Sequence, residues 1–151
     1  MNRARLHPGF SLVELLAALV VLGVLAGLIA GPARGALDAV ATAGARDAFA
    51  AIVAHARTEA VRRGGARLVV NLASGAVLME APALTPIGDS LAVAHTWGVT
   101  VSADGAAAGS QLTLQFDAFG LGRVASRTFR FRRGAAEARL SLSTYGRSRR
   151  W

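Results

Sequence analysis

The longest apolar stretch comes first. From Phe10 to Ala30 run 21 residues, FSLVELLAALVVLGVLAGLIA, whose only charged member is Glu14. Wound as a helix at ~1.5 Å per residue, this stretch is about 31 Å long, enough to span the hydrocarbon core of a bilayer. After it Leu37, Val40, Ala41, Gly44, Ala48, Ile52, Val53, Ala56 and Ala60 recur at steps of three and four. Asp38, Arg46, Asp47, Arg57 and Arg63 fall mostly elsewhere on the wheel. This is the pattern of an amphipathic helix, ending at Gly64-Gly65 and laying its apolar stripe on a sheet. Between the two lies Gly31-Pro32. A proline there removes one hydrogen bond and is expected to interrupt or kink the helix.

Beyond Gly65 the period changes to two. Arg67–Leu72 and Ala76–Glu80 flank Ala73-Ser74-Gly75, a hairpin-like link. Trp97 to Val101 reads as a strand, and residues 82–86 and 104–109 read as loops. Leu112, Leu114 and Phe116 alternate with polar residues, as do Phe129 with Phe131 and Leu140 with Leu142. Three strands with one apolar and one polar face describe an antiparallel sheet wet on one side. The fold class expected is α+β: a long N-terminal helix packed on an antiparallel head of roughly six strands. The segments are 1–9, 10–31 (apolar helix), 32–64 (amphipathic helix) and 65–151 (β-rich head with a basic tail).

Charge separates along the chain. The formal net charge is +8, and all seventeen basic residues are arginine. Nine of these lie between Leu121 and Trp151, against the single acid Glu137, so that segment alone carries +8. Such a tail suits an anionic partner (nucleic acid, phospholipid headgroups or acidic protein) or a solvated strand face. There is no cysteine, which excludes disulfides and thiolate metal sites. His7, His55 and His95 are scattered without metal-ligand spacing, so neither a metal nor a cofactor is expected.

At the N-terminus, Arg3 and Arg5 precede the apolar run and would keep the start in the cytoplasm. A secretory signal peptide has a shorter apolar region, about 7–15 residues. A plain signal anchor fits the length and leaves Glu14 unexplained. A carboxylate in a membrane segment costs roughly 2.5–3.5 kcal/mol at mid-bilayer and normally marks a function or a partner. Glu14 lies about one turn from the start, where the cost is smaller, and it still calls for a cation.

Gly9-Phe10-Ser11-Leu12-Val13-Glu14-Leu15-Leu16 resembles the class III signal of type IV prepilins and type II secretion pseudopilins. The resemblance implies that prepilin peptidase removes 1–9 by cutting after Gly9, and that Phe10 becomes N-methylated. It also implies that Glu14 directs assembly. The new amine on Phe10 is a cation, and Glu14 of an adjacent subunit can neutralise it in a low-dielectric filament core.

The head is similar to the H-type pseudopilin and FimT group. The similarity rests on Ala56-Arg57-Thr58-Glu59-Ala60-Val61-Arg62-Arg63-Gly64 before a strand, then Leu112–Phe116, Gly120, Gly122, Thr128–Phe131 and Leu140–Arg147. H-type subunits belong to the pseudopilus of type II secretion, which is the function this resemblance implies first. The other function in the group is DNA binding for natural transformation through a C-terminal GRxR motif, matched here by Gly146-Arg147-Ser148-Arg149, with Arg150 following. Arginines there would contact phosphates without reading sequence, and Tyr145 and Trp151 could stack on bases. The implied partners are other pilins or pseudopilins, the peptidase, the membrane and, on the second reading, DNA. The implied location is the inner membrane, single-pass, with the head extracytoplasmic. A membrane-tethered hydrolase is the third class. Asp89, Ser90, His95, Asp104 and Asp117 form no nucleophile elbow and no HExxH, so the chain is not expected to be an enzyme.

Overall fold

The computed structural model describes residues 11–123, 126–143, 145 and 147–151, with backbone alone at 29 and 30. The chain divides into two compact units, Met1–Arg34 and Gly35–Trp151. Helix α1 is assigned over Leu12–Arg63 without a break at Pro32. Gly31-Pro32 therefore does not end the element, because a proline deletes one ladder bond and the neighbouring turns keep theirs. In the first unit, every side chain described from Ser11 to Arg34 is exposed.

In the second unit α1 supplies the spine of the core. Ala41, Ala45, Phe49, Ala50, Val53, Ala56 and Ala60 are buried. Leu37 and Val40, expected on this stripe, are exposed instead, and Phe49 takes the central place. The alanines keep the helix close to the sheets, and they are also its best formers. Gly64, at φ +76, ends the helix in the left-handed conformation that glycine adopts without a Cβ penalty.

Two four-stranded sheets follow, both antiparallel. The first runs β3-β2-β1-β5, with β1 Gly65–Asn71, β2 Ala76–Glu80, β3 Leu91–Ala92 and β5 Gln111–Asp117. The second runs β4-β6-β7-β8, with β4 Thr100–Ala103, β6 Arg127–Arg133, β7 Ala136–Leu142 and β8 Ser148–Arg150. The hairpin expected around residues 73–75 is present, with Asn71 opposite Ala76. The Asn71 side chain accepts from the N–H of Ala73 and Ser74 at 2.9 and 3.2 Å, an Asx turn. Gly75 lies so close to Ala94 that a Cβ there would sit 2.2 Å from the Ala94 methyl.

Two expectations need correction. Trp97 does not begin a strand; it closes a short helix, α2 Val93–Trp97, and β4 starts three residues later. The Trp97 ring packs on Gly44, where a Cβ would meet it at 2.5 Å, so tertiary packing decides that segment. The strands also form two sheets rather than one. The inward faces of both, including Leu68, Val70, Phe129, Phe131 and Leu140, meet α1 in one core.

Candidate functional site

The start of α1 is closed by its own side chains. The Glu14 N–H donates to Ser11 Oγ at 3.2 Å, and the Ser11 N–H donates to Glu14 Oε2 at 3.1 Å. The Ser11 hydroxyl also lies 3.3 Å from that same oxygen. This is a capping box, satisfying two donors that a helix start leaves bare, with a carboxylate placed favourably at the positive end of the helix dipole. The S-x-x-E spacing was legible in the sequence and went unread there. Among the described residues Ser11 is the hydrogen-bond partner of Glu14, so Oε1 is left for a second donor. Gly9 and Phe10, the expected processing residues, lie outside the described residues. The helix behind Glu14 is long and apolar enough to cross a membrane, with a mean hydropathy of 2.7 over its most apolar window and none of that window buried. So much exposed apolar surface needs a lipid or protein cover.

The three C-terminal arginines singled out from the sequence do not converge. They stand on and beside β8, where strand alternation sends neighbours to opposite faces. Arg149 faces outward, opposite Ser141, with its guanidinium 4.0 Å from the centre of the Trp151 ring, a cation–π contact. Arg150 lies opposite buried Leu140 and reaches the Asp47 carboxylate on α1 at 3.7 Å. Arg147 is exposed before the strand, its N–H on Ser143 Oγ at 3.1 Å. Gly146 lies outside the described residues. The basic tail thus closes the second sheet rather than hanging from it. Reading it by composition missed this because β8 is short and its apolar content low.

The outward face of that sheet carries Arg130, Arg132 and Arg139, as the alternation requires. Arg130 bridges to Asp104 at 2.8 Å, while Arg132 and Arg139 both hold Glu137. A hollow of about 320 Å³ opens among Asp104, Thr128, Arg130, Arg139, Ser141 and Trp151.

Three carboxyls are held below their ordinary range by arginines. Arg63 does this first for Glu59, at 2.7 Å, with Arg62 adding to it. Arg139, then Arg132, act on Glu137, and Arg46 acts on Asp47. A carboxyl with a lower pKa folded than unfolded stabilises the fold fully above its unfolded value, here 4.5 for a glutamate. That stabilisation is lost as the pH falls through the lower, folded value. The melting temperature of the full chain in detergent should therefore be level from pH 7 to about 5 and fall below that. Glu59→Gln should lower the neutral-pH plateau and flatten part of the acid slope. An unchanged slope would show that Glu59 does not carry it.

Residues 5–30 match the family described as the prokaryotic N-terminal methylation motif. The fold matches the crystal structure of the type IV minor pilin FimU of Pseudomonas aeruginosa, with a TM-score of 0.57 and 20% identity. That match covers 73% of this chain and 87% of the other. A second crystal form gives a TM-score of 0.54 at 21% identity, covering 72% and 90%. The fold is type IV pilin-like. A long N-terminal helix followed by antiparallel sheets is the architecture this fold shares with FimU, and it confirms the α+β fold read from the pattern. No curated protein sequence matches the chain.

Proposed function

We propose that this chain is a minor subunit of a pilus-like filament, made as a precursor, cut after Gly9 and N-methylated on Phe10. The observation that carries the reading is the carboxylate of Glu14. It stands at the capped start of an exposed apolar stretch of helix, and among the described residues its carboxylate bonds to Ser11 alone, through Oε2. The donor that suits it is the Phe10 amine of a neighbouring subunit, since an amine and a carboxylate that leave water together must neutralise each other. Other pilin-like subunits, prepilin peptidase and the membrane are then its partners. The head stands outside the inner membrane, and the chain acts as a structural subunit rather than an enzyme.

The experiment is an intact-mass measurement of protein extracted from membranes. The expected polypeptide begins at N-methylated Phe10, and in a strain lacking the peptidase it begins at Met1. Protein from the normal strain that still carries residues 1–9 would overturn the reading.

Type II secretion is the system we favour, as an H-type pseudopilin, supported by the order of head motifs from Ala56 to Arg147. Deleting the gene should then reduce export of folded proteins more than it reduces transformation. The Arg149–Trp151 stack supports a second reading, DNA binding at the open sheet face. On that reading, Arg149→Ala should weaken binding of single-stranded DNA several-fold in low salt, because it removes a phosphate contact. Arg150→Ala, on the opposite face beside Asp47, should not. Equal behaviour of the two variants would remove the sheet face as the DNA site.

A further inference from the structure

At the pole of the second unit where α1 stops and β1 begins, two loop tips carry exposed apolar side chains. The turn after β5 is built to be stiff. Asp117 Oδ1 accepts from the N–H of Phe119 and of Leu121, each at 2.9 Å, and the Asp117 N–H donates to Leu121 O at 3.0 Å. Arg57 Nε ties the turn to α1 by donating to Gly120 O at 3.0 Å. What this turn holds out is the Phe119 ring, 82% exposed. A hollow of about 290 Å³ lies beside it, lined by Ala54, Thr58 and the exposed Val61 among others.

Across β1 a second tip does the same. The chain between Ala81 and Thr85 is closed by hydrogen bonds of 2.8 and 3.0 Å, and Leu84 at its end has φ +64. A leucine in that region is strained where glycine would not be. It nonetheless points an apolar side chain into water, 57% exposed. Pro82 and Asp117, each two residues from its exposed tip, line one hollow with Gly64 and Gly65. Stiffness and strain spent on exposing hydrophobic side chains imply a surface to be covered.

Charge says what covers it. The Arg62 side chain is 73% exposed, while its partner Glu59 is 6% exposed. Arg63 repeats the pattern, with its guanidinium outward and the shared carboxylate sheltered. The end of α1, which leads into this pole, therefore shows guanidinium groups and shelters the carboxylate they share. We infer that the pole is a docking surface for a different protein, one that offers an apolar pocket to Phe119 and carboxylates to Arg62 and Arg63. Phenylalanine beside aliphatic Val61 and Leu121 suits an apolar pocket rather than a stack of bases, and aromatic residues and arginine are enriched at protein interfaces. Two copies of this chain would bring like charges together at the same pole.

The test uses the full chain in its native membrane. Phe119→p-benzoylphenylalanine and the same change at Leu84 place a photocrosslinker at each tip, with Ser102 on the far sheet as control. Both tips should crosslink to one protein of different sequence. Arg62→Glu with Arg63→Glu should cut that yield at least fivefold, and reversing the facing carboxylates to lysine should restore it. Because both arginines also hold the sheltered Glu59, the melting curve is measured alongside, and Arg62→Gln with Arg63→Gln, which adds no acid beside Glu59, should cut the yield in the same direction. Repeating the crosslink in a Glu14→Leu background separates this surface from the filament reading, which can fail without it. Crosslinks to nucleic acid, to a second copy, or at no more than the control level overturn the proposal, as does indifference to the charge reversal.

Discussion

Glu14→Leu is expected to leave cleavage after Gly9 intact and to lower incorporation into filaments by at least about a hundredfold. The magnitude follows from leaving one partner of a desolvated ion pair uncompensated, roughly 3–5 kcal/mol, where each 1.4 kcal/mol is tenfold. The leucine removes two things at once: the charge, and the side chain that closes the helix start on Ser11. Glu14→Gln separates them, because glutamine at this position still completes a capping box and carries no charge. If the pairing governs assembly, Gln fails nearly as badly as Leu. If Gln assembles like the parent, the cap was the point and the ion pair is not. The measurement is the fraction of chain in sheared filaments against the fraction left in the membrane.

Phe49→Ala should strongly destabilise the head while leaving the apolar first half of α1 helical. Phe49 is 1% exposed, and its ring centre lies 4.7 Å from that of Phe129 and 5.6 Å from that of Phe131. Truncating a buried phenylalanine costs about 3–5 kcal/mol, and the tilted ring pairs it forfeits contribute to that cost. Against a total of about 5–15 kcal/mol for a domain, this is a large share. The expected drop in melting temperature of the full chain in detergent is on the order of 15 °C. A drop below about 5 °C would mean the three rings are not the keystone of the core. Phe49→Leu, which keeps most of the volume, should recover more than half of the loss.

Phe49 also shows where a sequence stops being enough. The helical period across 37–60 was plain, and so was its ending at Gly64. The choice of face was not, because alanine lies on every side of that helix and marks none of them. Leu37 and Val40 had the hydrophobicity for the core and are exposed; only the position of Phe129 and Phe131 makes Phe49 central. Trp97 was misread for a related reason. Its neighbours alternate weakly, and the contact that settles it is with Gly44, more than fifty residues away.

The basic tail gives the same lesson at the candidate site. Its charge could be counted, yet composition does not say which way an arginine points. Once β8 pairs with β7, alternation sends Arg149 to the open face over Trp151 and Arg150 to Asp47 on the helix. The exposed tips at Phe119 and Leu84 had no signature at all, being single apolar residues in loops.

What the chain's letters determined alone was whatever depends on neighbours a few positions apart: the apolar span, the carboxylate one turn inside it, the two periodicities and the Ala73-Ser74-Gly75 link. Their physics is local, so their reading is too. What the folded state decided was which surfaces meet and which stay bare, because burial depends on residues that only the sheets bring together.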